Sequence, residues 1–200
     1  MKKYAVKHLP TEKKSNKKTG VCIIKKGVKT MNSLKSYTET LELICKNKNV
    51  GKKAIQKLIY LMERKGVEFD LDYKIHFFGP YSVKLDHILH VLKSDEIIDI
   101  DTSGRTHIVR VIDSSKCKGE GVSLEGKKMV EEVIRNFGNK SALELEGITT
   151  LDYVASNMSD TDKKSDTDIL NGVKRIKGTK FSNPQLSQYL EILKEYQYLS

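Results

Sequence analysis

The chain has 200 residues, 38% of them apolar, and its 36 Lys and Arg against 26 Asp and Glu give a formal charge of +10. That length and composition suit one ordinary domain or two small ones and can bury a real core, which excludes wholesale disorder. No apolar run approaches the ~20 residues of a membrane span, and Cys22, Cys45 and Cys117 lack the spacing of a disulfide framework or a zinc knuckle.

The charge is not evenly spread. Residues 1–30 carry ten Lys and one acid for +9, residues 31–115 come to +1, and residues 116–200 to 0. The first segment has a single apolar cluster, Val21-Cys22-Ile23-Ile24, and its like-charged pattern predicts a basic, disordered tail. Three roles stay open for it: a phosphate-binding arm, a solvated tail without a partner, or an extension ahead of a second start at Met31. It holds no apolar stretch of about 7–15 residues, as a secretory signal would need. A reduced, cytoplasmic protein is therefore expected.

From Asn32 the pattern becomes periodic. Leu34, Tyr37, Leu41 and Ile44 share one helical face, with Asn32 or Ser33 as N-cap. A polar break at 46–49 leads to a second helix over 51–65 carrying Ile55, Leu58, Ile59 and Met62, closed by Gly66. An extended or irregular crossing over 69–78 ends in Gly79-Pro80, with Pro80 expected in the first turn of a third helix. Tyr81, Leu85, Ile88, Leu89 and Leu92 form that helix's apolar face. Two β-branched runs, 97–101 and 106–112, flank a Ser-Gly turn and predict a hairpin. Three helices followed by a hairpin is the order of a winged helix.

The C-terminal half repeats the helical pattern at Met129, Val130, Val133, Ile134 and Phe137, stopped by Gly138, and at Leu151, Val154, Ala155 and Met158. Residues 159–168 lack any apolar side chain and read as a solvated loop. Ser182-x-x-Gln185 is a capping box opening a last helix with Pro184 in its first turn and Leu186, Tyr189, Leu190 and Leu193 on its face. The expected fold class is mainly α with a small β-hairpin: a winged-helix-like core over 31–115, and a helical extension over 116–200 packed on it.

Gln56-Lys57-Leu58-Ile59-Tyr60-Leu61, followed by His76-Phe77-Phe78-Gly79-Pro80-Tyr81-Ser82, resembles the hallmark of the YwgA-like family of bacterial and archaeal proteins. The plan of a lysine–apolar–tyrosine helix with Gly-Pro before the next helix is also similar to the Panacea, or SocA-like, antitoxin domains. The resemblance covers about 40–112, with a fainter continuation at 143–155 and 173–199. It implies a winged-helix-like, α-rich fold and partner binding without established catalysis, with toxin neutralisation in the Panacea branch. Where Panacea domains favour Gly-Pro-Val this chain has Gly79-Pro80-Tyr81-Ser82, which fits the YwgA side better.

Lys46, Lys48, Lys52, Lys53 and Lys57 surround a turn and a helix N-terminus, with no acid between residues 46 and 60. With Lys84, Arg105 and Arg110 they are the candidate nucleic-acid contacts, against the plainer reading of a solvated face. The outward residues of the third helix, Ser82, Lys84, Asp86, His87, His90 and Lys93, include no Arg, Asn or Gln to read base edges. Tyr60, Phe77, Phe78 and Tyr81 cluster at the Gly-Pro joint and are expected in the core. The functional alternative is a partner groove formed by Tyr60, Phe78, Gly79, Pro80 and Tyr81.

His87-x-x-His90 is half of a metal site at most, with Asp86 expected to point elsewhere. The pairs Asp70/Asp72 and Asp99/Asp101 suit a metal-dependent nuclease less well than a charged strand edge. Gly119-x-Gly121 is not a phosphate loop, and no Cys or Ser stands in a nucleophile context. No catalytic residue, metal or cofactor is expected. The sequence points to a non-catalytic binding protein with a protein or DNA partner in a regulatory or defence setting. A Panacea-type antitoxin and a metal-dependent nuclease are the alternatives.

Overall fold

The computed structural model describes residues 33–46, 48–158 and 165–199. The basic segment 1–30, Cys22, the start at Met31, Asn32 and most of the polar stretch 159–168 lie outside the described residues. The elements run α1 (Leu34–Cys45), β1 (Val50–Gly51), α2 (Lys52–Arg64), β2 (Tyr73–His76), β3 (Gly79–Ser82), α3 (Val83–Ser94), β4 (Ile98–Asp101) and β5 (Ile108–Val111). A 3-10 turn (Ser114–Lys116) leads to α4 (Leu124–Phe137), α5 (Ala142–Asn157), α6 (Asp166–Lys177) and α7 (Asn183–Glu195). The fold is mainly helical with the expected small hairpin, and a second two-stranded sheet, β2-β3, forms where an extended or irregular crossing was expected.

α1 buries Tyr37, Leu41 and Ile44. Its interior Thr38 and Thr40 satisfy their hydroxyls on the carbonyls of Leu34 and Ser36, one turn back. In α2 all eight residues from Ile55 to Met62 are buried, because α4, α5, β1 and β3 pack around it. That burial takes in two polar side chains, Gln56 and Lys57. The Gln56 amide accepts from the Ser82 N–H at 3.0 Å and donates to the Ser82 carbonyl at 3.0 Å, which pins β3 to the helix.

Pro80 does not open a helix. It lies in β3, paired with Ile75 of β2, and α3 begins three residues later behind Ser82, whose hydroxyl accepts from the Leu85 N–H. The fixed φ of proline suits a helix's first turn and an edge strand equally, and β3 has a strand on one side only. Tyr81 accordingly belongs to the strand and not to the apolar face of α3.

The three-stranded sheet has the order β1-β5-β4. β4 and β5 form the expected hairpin, Ile98 opposite Val111 and Asp101 opposite Ile108, while β1 contributes only Val50 opposite Val109 and Gly51 opposite Ile108. Val109 is fully buried and Arg110 exposed, the alternation of a strand with one covered face.

α4 packs on α1 and α2, and α5 packs on α2, α6, α7 and β3, so the apolar faces of both halves meet in one hydrophobic core. α5 opens with a capping box, Ser141 with Glu144, and α7 with the predicted one, Ser182 with Gln185. α6 begins at Asp166, inside the stretch expected to be loop. The Ser165 hydroxyl accepts from the Asp168 N–H, and Asp166 and Asp168 favour the positive end of the helix dipole. Among the described residues no helix is long and apolar enough to cross a membrane.

Candidate functional site

The N-terminus of α2, the β2–β3 turn and the β4–β5 loop converge on a cavity of about 430 Å³. Its wall comprises Lys52, Lys53, Gln56 and Lys57 from α2, His76, Phe78 and Tyr81 around the turn, and Arg105, Thr106 and His107 from the loop. Three Lys, one Arg and two His line it, and no carboxylate does. The loop is held against the helix by the Lys52 N–H donating to the His107 carbonyl at 2.8 Å. Gly51 permits this approach, since a Cβ there would lie 2.6 Å from Thr106 Cγ2.

The cations differ in how far they are engaged. Lys52 pairs with Asp86 of α3, and its Nζ lies 3.4 Å from His90 Nε2. Lys53 Nζ sits 3.5 Å from the Phe78 ring centroid, a cation–π contact. Arg105 and His107 are exposed and make no ion pair among the described residues. Burial works to raise the Asp86 carboxyl, but hydrogen bonds from Lys52 and Tyr81 and the nearby positive charge outweigh it and hold the group below its ordinary value.

Behind the turn lies a buried charge cluster. Glu146 of α5 accepts from Lys177 at 2.8 Å and from Lys180 at 2.7 Å, and the Lys177 and Glu146 side chains are only 4% and 5% exposed. Lys177 also donates to the Phe77 carbonyl at 2.6 Å, and Lys57 to the Pro80 carbonyl at 2.6 Å. Burial pushes the Lys57 ammonium down to about 8; Lys177 and Lys53 add repulsion, and Glu146 opposes them. Gly79 has φ +86°, and a Cβ there would meet Thr150 Oγ1 at 3.1 Å. The backbone of the turn is thus gripped from α2, α5 and the end of α6.

What the turn presents outward is aromatic. Phe77 is 74% exposed and Phe78 38%, their rings edge to face at 4.9 Å. This corrects the expectation that both belong to the core: the two residues fill the turn between paired His76 and Gly79, where only the Lys53 and Lys180 side chains lie near their rings among the described contacts. Lys180 Nζ stands 5.6 Å from the Phe77 ring and 5.4 Å from the Phe78 ring.

The candidate nucleic-acid residues do not form one surface. Lys52, Lys53, Lys57 and Arg105 gather at the basic cavity. Lys46, Lys48 and Arg110 line a separate open groove of about 970 Å³ between the end of α1 and β5, with Glu42 and Asp113 among them. There Lys48 donates to the Gly138 carbonyl, and Arg110 lies 3.3 Å from Asn49 Oδ1 and 3.7 Å from Asp101. Lys84 is elsewhere, donating to the Asp70 carbonyl at 2.6 Å.

Of the proposed partner groove, Phe78 and Tyr81 line the cavity, while Gly79 and Pro80 are buried beneath the turn. Tyr60 lies in the core, as expected, and not in the alternative groove: its hydroxyl donates to buried Asp152 at 2.6 Å, and Arg64 Nε meets the same carboxylate at 2.8 Å. Lys177 and Lys180 were not legible as part of the site, because their partners lie 31 to 101 residues away in sequence.

Asp86 does not point away from His90; at i and i+4 they approach to 3.8 Å, sharing one face of α3. Among the described residues no group of three His, Cys, Asp or Glu side chains is gathered as a metal site. In comparisons with known proteins, no family model matches the chain and no curated protein matches it.

Proposed function

We propose that this chain is a non-catalytic, winged-helix-like binding protein that engages a nucleic acid through the cavity at the N-terminus of α2. The observation that carries this reading is the lining of three Lys, one Arg and two His without a carboxylate, with Lys53 and Arg105 making no ion pair among the described residues. The order α1, β1, α2, α3, β4, β5, interrupted by the β2–β3 hairpin between α2 and α3, supports the winged-helix comparison together with the sheet order β1-β5-β4, the β4–β5 loop taking the place of the wing. Phosphate binding draws on cationic side chains, and the cavity wall offers them without a competing carboxylate.

The test is fluorescence anisotropy of labelled oligonucleotides with the full chain and a Lys53→Glu, Arg105→Glu double variant across a salt series. Removing two phosphate contacts is expected to weaken binding at least about tenfold and to lower the slope of log affinity against log salt by about 1.5–2. Unchanged affinity and slope would assign whatever binding remains to the basic residues 1–30.

A second reading rests on the other groove. β4 pairs with β5 on one side, but on the other β1 reaches only Val109 and Ile108, so among the described residues Arg110 and Val111 border the groove with no strand on that side, next to an Ile112 that is 62% exposed. An open strand flank with apolar neighbours and charges of both signs suits a protein partner, as in a Panacea-type antitoxin. Co-expression with a toxin encoded beside it should rescue growth, and Ile112→Arg should abolish that rescue while leaving oligonucleotide binding intact.

A further inference from the structure

Resting on the proposed nucleic-acid reading of the basic cavity, we infer that the strand bound there is single, with an unpaired base stacked on Phe77 and the flanking phosphates on Lys53 and Arg105. The first support is the turn itself. Phe77 is 74% exposed, yet its own carbonyl is bound by Lys177, and the next residues are fixed through Pro80 to Lys57 and through Ser82 to Gln56. A large apolar ring in water on a backbone anchored by two buried lysines is a fixed platform, not a loose loop tip.

The second support is the alternation of rings and cations. Lys53 lies on one side of Phe78, and Lys180 stands within 5.6 Å of both rings. Single-stranded nucleic acid presents the complementary alternation, a base face and then a phosphate, and aromatic stacking is open to it because its bases are unpaired. A duplex hides those faces. To read a duplex the chain would rely on the outward face of α3, where Lys84 is bound to Asp70 and Asp86 to Lys52. The cavity of about 430 Å³ beside the rings falls within the size range of small-ligand sites, large enough for one nucleotide. An acidic peptide would satisfy the cations but leave Phe77 in water.

The experiment measures anisotropy of labelled oligothymidylate of about a dozen residues, and of a duplex of equal length, with the full chain at about 0.15 M salt. Single strand is expected to bind at least about tenfold tighter than duplex. Phe77→Ala should lower single-strand affinity by about tenfold without changing duplex affinity or the salt slope, and Phe77→Trp should restore it. Equal or tighter duplex binding, or an unaffected Phe77→Ala, overturns the single-strand inference. In that case the basic-cavity reading stands if Lys53→Glu, Arg105→Glu still weakens binding. If that double variant also binds like the parent chain, both readings fail. Displacement of oligothymidylate by an equally charged polyglutamate peptide as readily as by unlabelled strand also overturns the inference, in favour of a protein partner.

Discussion

Lys57 is a buried ammonium that makes one carbonyl hydrogen bond and faces one carboxylate, Glu146, already engaged by two other lysines. Its pKa falls from an ordinary 10.5 to about 8, so between those values the unfolded chain keeps a proton that the folded chain has released. Folding stability therefore rises with pH through that window, and the full penalty applies below about 8. Lys57 should contribute a gain of about 2 kcal/mol from pH 7.5 to 9.5, at 1.36 kcal/mol per unit, read in urea unfolding as the difference between the parent chain and Lys57→Met. The difference cancels the opposing pull of Cys45, whose thiol is pushed up to about 11 by burial. Above about pH 10 the sign reverses, because buried Tyr37, Tyr60 and Tyr198 hold their protons to higher pH than they do in the unfolded chain. Gly79 offers a second measurement. Alanine there meets a left-handed backbone and a contact at 3.1 Å to Thr150, and should cost about 1–2 kcal/mol in urea unfolding.

At the scale of elements, α5 links the two halves of the chain by polar as well as apolar contacts. Asp152 is wholly buried and takes hydrogen bonds from Tyr60 and Arg64 of α2. Asp152→Ala would leave a tyrosine hydroxyl without its acceptor and a half-buried guanidinium without its counterion. A loss of about 3 kcal/mol is expected, measured as a shift in urea midpoint at unchanged m-value. What the sequence disclosed follows the same division. The apolar periodicity of α2, α4 and α7 and the Ser182 capping box are local signals, and these helices lie where the pattern puts them. Pro80 was ambiguous because one φ serves two structures. Phe77 and Phe78 misled because apolarity indicates burial only when some element covers the residue. The charge cluster under the turn was illegible, since Glu146, Lys177 and Lys57 meet only after α2, α5 and α6 have packed.

For the molecule as a whole, near-neutrality conceals a strong asymmetry. Residues 31–200 carry a net charge of only +1, yet the charged side chains of the cavity wall are all basic, with Glu146 behind it among three lysines and Asp86 beside it on Lys52. The chain's formal +10 belongs almost entirely to residues 1–30, so it says little about this site, whose character comes from placement. One core spans α1 to α7, and α2 touches both α4 and α5. Unfolding of residues 31–200 is therefore expected to be a single transition, with coincident urea midpoints for far-ultraviolet circular dichroism and tyrosine fluorescence. Separate midpoints would mean that the C-terminal helices form an independent unit.

The grip of Lys57, Lys177 and Gln56 on the β2–β3 turn has a kinetic consequence. Because the turn's backbone is already set, a partner meeting Phe77 pays little entropy for ordering it, and encounter needs no rearrangement. Association should then be governed by the cations and respond to ionic strength, while the lifetime of the complex is governed by the ring. Stopped-flow measurement should find that Phe77→Ala shortens that lifetime and leaves the association rate nearly untouched, whereas Arg105→Glu slows association first.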